Sequence, residues 1–141
     1  MMALIWKKHL SVGNAMLDNE HKNLIGMVNS IEYAINTKDI AALLKMLKSF
    51  KSNMDTHFAN EAQFAQAFNY PFTQHELAHR HFMKELQQTV EELDAKPGTW
   101  PEYVMDYYPQ LLRDWLIEHI TGEDMQMKPL LQSHSYDFKP A

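Results

Sequence analysis

Seven side chains in this sequence stand where ordinary packing would place apolar ones. His75 and His79 are four residues apart, and so are His57 and Glu61. On a helix that interval puts both members of a pair on one face, about one turn apart. Both pairs lie inside apolar stripes. His21 stands early in a first periodic segment, and His119, followed by Asp124, stands on the apolar stripe of a last one. A lone buried histidine is ordinarily a satisfied core residue, and a lone Glu–His pair is ordinarily a surface pair. Five imidazoles and two carboxylates spread over four segments are neither. Burying them without partners would cost on the order of several kcal/mol each, and a shared metal site satisfies all of them.

The donor types narrow the metal. Seven donors exceed what one ion takes, and a carboxylate can bridge two ions. Imidazole–carboxylate mixtures suit iron, manganese and zinc, but zinc prefers four ligands. Carboxylate-bridged di-iron therefore fits best, and manganese is compatible with the same donors.

Four elements must bring these donors together. Residues 1–17 read as a non-helical arm carrying Trp6 and a Val12-Gly13 step. Asp18 is placed to cap the first helix, in which Leu24, Ile25, Val28, Ile31, Ala34 and Ile35 recur at helical spacing. A break over residues 36–39 precedes a second helix from about Ile40. Its stripe is Leu43, Leu44, Leu47, Phe50, Met54, His57, Phe58 and Glu61, and it ends before Asn69-Tyr70-Pro71. Thr73, with Glu76 as its capping-box partner, is placed to cap the third helix. That helix carries His75, His79, Phe82, Met83, Leu86, Val90 and Leu93 and stops at Lys96-Pro97-Gly98. The fourth is expected from Thr99 or Trp100, with Pro101 in its first turn. Pro109 predicts a kink, or a short helix 101–108 before a longer one. From there Leu111, Leu112, Trp115, Leu116, His119 and Ile120 resume the pattern. Residues 128–141, polar and with two prolines, read as a tail after a single domain spanning 1–127.

The fold class is all-α, an antiparallel up-down-up-down four-helix bundle with a non-helical N-terminal arm. In that topology the starts of helices one and three and the ends of helices two and four meet at one end, and all seven donors lie there. His119 and Asp124 are five residues apart, about 140° around an ideal helix. The chain must therefore loosen near Gly122 or widen into a π-type turn to aim both inward.

Composition excludes several alternatives. With no cysteine, disulfides, thiolate zinc sites, iron–sulfur clusters and cysteine nucleophiles are ruled out. The net charge of −5, without a basic stripe, argues against nucleic acid as a partner. The short apolar run at the N-terminus, followed by two lysines, is neither a signal peptide nor a membrane span. A cytoplasmic protein without a membrane partner is expected. No helix has an extra apolar face, so the expected state is a monomer. His81 points about 200° away from His79 around the helix. It, His9 in the arm and His134 in the tail are not assigned to the metal. The methionines read as flexible core filler.

On these residues the sequence resembles the hemerythrin family, in its single-domain bacterial form, the bacteriohemerythrins. The resemblance covers about residues 4–127. It rests on Trp6, Val12-Gly13, Asp18-x-x-His21, His57-Phe58-x-x-Glu61, Asn69-Tyr70-Pro71, His75-x-x-x-His79-x-x-Phe82 and Trp115-Leu116-x-x-His119-Ile120-x-x-x-Asp124. It implies one iron held by His75, His79 and His119, and a second held by His21 and His57 with an open position. Glu61 and Asp124 would bridge the two irons beside an oxo or hydroxo bridge. Dioxygen would bind reversibly at the open position, for storage, delivery or buffering rather than enzymatic turnover. An oxygen-accepting protein or a reductase would be the partner. Phe58, Trp115 and Ile117, close in sequence to ligands, are expected to line the dioxygen pocket and slow the entry of water. Two other functions remain: an oxygen- or redox-sensing module acting in trans, and a di-iron oxidoreductase handling peroxide or nitric oxide. Ala62 stands where many relatives carry a second Glu, Ala65 where Met is common, and Met127 where an aromatic is frequent. The segment 101–109 is also atypical. None of these departures removes a ligand; they bear on oxygen affinity, autoxidation and access.

Overall fold

The structure, a computed structural model, describes residues 3–95, 102 and 106–140. It is an all-α four-helix bundle, with no strand among the described residues. Helix α1 spans Ala15–Asn36, α2 Ile40–Ala67, α3 Thr73–Ala95 and α4 Tyr108–Glu118. Helix α1 packs on α2 and α4, and α2 packs on α3. No helix of the described residues is long and apolar enough to cross a membrane.

The helical backbone does not end with α4. It continues through a widened π turn at His119–Glu123, a tight 3-10 turn at Asp124–Met127 and a short helix α5 at Lys128–Gln132. The π turn is the widening that the five-residue interval between His119 and Asp124 demands.

The core has two parts. A long cluster runs through the body of the bundle and includes Leu24, Phe58, Phe82, Leu116 and Ile120. A smaller one at the other side of the donors holds Val12, Leu17, Phe64, Ala65, Met127 and Leu131. Along α1 the order is Leu17, His21, Leu24; along α2 it is Phe58, Glu61, Phe64. The polar donors thus form one layer between two apolar blocks.

Local details differ from the sequence reading in three places. Helix α1 starts one turn earlier than expected: Asn14, not Asp18, is its cap, and the Asn14 side chain accepts from Leu17 N at 3.2 Å. Asp18 is fully buried instead and accepts three bonds, from Ser11 Oγ (2.5 Å), Val12 N (2.9 Å) and Tyr136 Oη (2.8 Å). Thr73 is the first residue of α3 rather than its cap, and Glu76 N donates to the Phe72 carbonyl. Pro109 takes one of the two places expected of it: it sits in the first turn of the longer helix α4, where its missing N–H costs nothing. The Thr99 or Trp100 start and most of the 101–108 helix expected before it lie outside the described residues.

The third difference concerns the residues after Met127. They fold back over the start of α1 and the end of α2. Leu131 is fully buried, and the Phe138 ring lies 6.0 Å from that of Phe64 and 5.7 Å from that of Phe68. Asn14 Nδ2 donates to the Phe138 carbonyl, and Ala15 N donates to the Tyr136 carbonyl, each at 2.8 Å. Gly13 completes the joint with a left-handed φ of +87°; a Cβ there would meet Gln132 Cγ at 3.0 Å. A side chain at this position is disfavoured by both backbone and space.

Partial burial, and then the bond to Asp18, push the Tyr136 phenol up to about 12. Its folded pKa therefore exceeds its unfolded one. The stabilisation is complete below about pH 10 and is lost as pH rises from there towards 12. Tyr136→Phe is expected to destabilise the neutral-pH protein by about 0.5–1.5 kcal/mol and to flatten the alkaline fall in stability, both read from urea unfolding across pH. An unchanged alkaline slope would contradict this account.

Candidate metal centre

The donors reach the layer from α1, α2, α3 and the helical turns that follow α4. His21 comes from the second turn of α1, His57 and Glu61 from the last turns of α2, and His75 and His79 from the first turns of α3. The π turn supplies His119, with Asp124 directly after it. All seven are buried.

The structure draws five of them into one cluster: His21, His57, Glu61, His119 and Asp124. His21 Nε2 lies 2.7 Å from Asp124 Oδ2. His119 Nε2 lies 2.9 Å from the same oxygen and 3.0 Å from Glu61 Oε1. His57 Nε2 touches Glu61 Oε1 and lies 3.7 Å from Asp124 Oδ2. His79 joins from the other side, its Nε2 3.4 Å from Glu61 Oε2. His75 shares the His79 face, ring centroids 6.2 Å apart, but its Nε2 meets the Glu123 carbonyl at 2.9 Å.

This donor set fits a bound cation. Buried polar atoms are almost always hydrogen-bonded, yet Glu61 Oε2, His79 Nε2, Asp124 Oδ1 and Glu123 Oε2 have no partner. The Nε2 atoms of His119 and His57 face each other at 3.4 Å. A cation between such atoms satisfies carboxylate oxygens and imidazole lone pairs together.

The electrostatics agree. Burial pushes the His57 imidazole down, but Glu61, Asp124 and Glu20 outweigh it and hold the group well above its ordinary value. His119 is held up against burial by Asp124 and Glu61. Burial pushes the Glu61 carboxyl up, but His57 and His119 hold it well below the usual range. The carboxylates thus demand positive charge in a layer closed to water, and protons and a cation compete to supply it. His79, by contrast, is lowered to about 4 by burial. At neutral pH it presents the uncharged imidazole that binds metal.

Two residues missing from the sequence reading support this layer. Glu20 Oε1 accepts from His57 Nδ1 at 2.7 Å, and Asn60 Nδ2 donates to Glu20 Oε2 at 2.5 Å. With a proton held on Nδ1, a cation in the layer would find His57 Nε2 free to bind it, the arrangement by which a carboxylate fixes the tautomer of a ligating histidine. Glu20 and His57 lie on different helices, so no spacing rule pairs them.

Aromatic rings wall the histidines. Phe58 stacks on His79 at 3.7 Å, Trp115 on His119 at 4.9 Å and Phe72 on His75 at 5.1 Å. A cleft of about 300 Å³ between α2 and α3 reaches His79 past Phe58, Ala62, Phe72 and Met83. The small Ala62 side chain lines this cleft. Ile117 lies elsewhere, half-buried beneath the N-terminal arm beside Leu4, Leu10 and Arg113. His81 is exposed and pairs with Glu85 at 3.1 Å.

Residues 12–131 match the family model of the hemerythrin HHE cation binding domain. The chain belongs to the hemerythrin family. It is 27% identical to a bacteriohemerythrin of Stenotrophomonas maltophilia, over 98% of this chain and 88% of the relative. It is 28% identical to a bacteriohemerythrin of Pseudomonas aeruginosa, over 88% of this chain and 78% of the relative. A hemerythrin-like protein of Naegleria gruberi is 30% identical over 89% of this chain and 92% of its own length. The chain thus carries a hemerythrin cation binding domain, and its buried layer holds a histidine–carboxylate cluster of the kind that could bind a metal.

If Glu20 fixes the His57 tautomer, Glu20→Ala should weaken metal binding by about 10–100-fold, measured by competition with a chelator. Binding equal to the parent protein would show that Glu20 is not needed for this.

Proposed function

We propose that this protein binds dioxygen reversibly at a carboxylate-bridged pair of irons and serves as an oxygen store, carrier or buffer rather than an enzyme. The observation that carries this reading is a fully buried imidazole–carboxylate layer walled by stacked aromatic rings.

His21 and His57 would hold one iron, and His75, His79 and His119 the other. Glu61 has the disposition of a bridging group: Oε1 faces His57 and His119, and Oε2 faces His79. Asp124 Oδ2 faces His21 and His119 from the opposite helix. His75 lies next to the cluster and would exchange its bond to the Glu123 carbonyl for the metal. An iron pair, when bound, supplies the electrons that reversible dioxygen binding requires.

The remaining chemistry belongs to the chain. Phe58 and Trp115 cover His79 and His119 with apolar rings and keep water and protons away, which favours release of dioxygen over oxidation of the site. Glu20 holds the His57 proton on Nδ1 and away from the metal side. The cleft beside Ala62 opens at His79, on the side of the three-histidine iron rather than of the open position.

The test is to cycle purified protein between reduced, oxygenated and deoxygenated states while recording its visible spectrum. The expected result is two irons per chain and charge-transfer bands that appear with dioxygen and vanish on its removal. One-way oxidation at first exposure, with turnover of added peroxide, would replace this reading with an oxidoreductase. By elemental analysis, His119→Ala should lose iron and His81→Ala should retain the parent content.

A further inference from the structure

The π turn ends on a carboxylate that neither the spacing of the donors nor the family resemblance assigns. Glu123 stands four residues after His119. Its side chain is 28% exposed overall, but Oε2 is buried and has no hydrogen-bond partner. Two imidazole nitrogens lie near it, His119 Nδ1 and His79 Nε2, each 3.6 Å away. Both nitrogens are also buried without a partner.

The two nitrogens differ in what they can offer Glu123. A neutral imidazole carries one N–H and one lone pair. In the two-metal reading His79 Nε2 is a ligand atom, so its lone pair faces the cation and it has no proton to give. His75, His79, His119, Glu61 and Asp124 already surround that ion, and Glu123 Oε2 is left over. His119 is turned the other way. Its Nε2 lies 2.9 Å from Asp124 Oδ2 and 3.0 Å from Glu61 Oε1, on the metal side. The single proton of the ligating ring must then sit on Nδ1, the atom that faces Glu123. One donor and one acceptor thus remain, buried side by side, and buried polar atoms are almost always paired. Closing their separation to the roughly 2.8 Å of an imidazole–carboxylate hydrogen bond takes an approach of less than about 1 Å.

We propose that Glu123 is the positioning residue of His119: its carboxylate accepts the proton on Nδ1, fixes the tautomer and orientation of the ring and leaves Nε2 to the metal. The proposal rests on the two-metal reading above and adds no ligand to either ion. Glu20 stands in the same relation to His57, at 2.7 Å from Nδ1. Each ion of the pair would therefore receive one histidine backed by a carboxylate. The two carboxylates arrive differently. Glu20 comes from a neighbouring helix, whereas Glu123 and His119 open and close one widened turn.

The test loads the metal-free full-length chain with Co(II), whose paramagnetism moves the N–H protons of ligating histidines clear of the other signals in a proton NMR spectrum. The parent is expected to take two equivalents and to show the His119 Nδ1 proton as a shifted signal that exchanges slowly with D2O. Glu123→Ala should make one such signal exchange at least about tenfold faster and should weaken one of the two equivalents by about 10–100-fold. Glu123→Gln, which keeps an acceptor but not its charge, should retain slow exchange and bind that equivalent more weakly than the parent. Glu118→Gln removes an exposed acid of the same charge from α4 and should match the parent in both readouts. Circular dichroism checks that each variant folds, and Glu123→Gln carries the affinity comparison if the alanine variant does not. Parental affinity and parental exchange rates in the Glu123 variants would overturn the role of Glu123 while leaving the two-metal reading intact. A parent protein that takes fewer than two equivalents would overturn both.

Discussion

The structure depends on one constraint: a layer of charged and polar donors is buried between two apolar blocks, and the protein groups in it cannot satisfy one another. Glu61 and Asp124 are fully buried, and each keeps an oxygen without a hydrogen bond. The histidines around them resolve part of the imbalance by holding protons, as the raised pKa values of His57 and His119 indicate. Neutral donors satisfy the buried Asp18 carboxylate, but none reaches Glu61 Oε2 or Asp124 Oδ1. A bound cation would resolve the whole set and would turn a destabilising polar layer into a junction that ties four helices together.

The backbone around the layer is shaped to the same end. A regular helix at the end of α4 would send His119 and Asp124 in different directions. The π turn at His119–Glu123 brings both to the cluster and carries Glu123 with them. The chain then tightens and turns back, so that Met127, Leu131 and Phe138 close the metal end of the bundle against Phe64 and Phe68. Asp18 joins this cap to α1 through Tyr136, one turn before His21. The cap and the donor layer therefore share their supporting residues.

The bundle and its donors were legible in the sequence because both follow helical periodicity. His57 with Glu61 and His75 with His79 announce themselves by a four-residue interval, and the five-residue interval before Asp124 announces the widened turn. What periodicity cannot show are pairings between elements. No spacing marks Glu20 until α2 brings His57 and Asn60 against it. Asp18 looks like a cap until the arm and Tyr136 surround it. The segment after Met127 looks polar because its few apolar residues, Leu131 and Phe138, meet their partners only when the chain turns back. Ile117 was placed near the site by its nearness to His119 in sequence, but on α4 it faces the N-terminal arm.

Thermal unfolding of metal-stripped and iron-loaded protein tests the central claim most directly. A ligand present at about a thousand times its dissociation constant adds about 4 kcal/mol to folding, and at this chain length each kcal/mol shifts the midpoint by about 2–4 °C. The account predicts a loaded protein that melts at least about 8 °C above the stripped one, with the difference abolished by adding chelator before loading. Equal midpoints for the two forms, with iron shown to be present in the loaded sample, would contradict it.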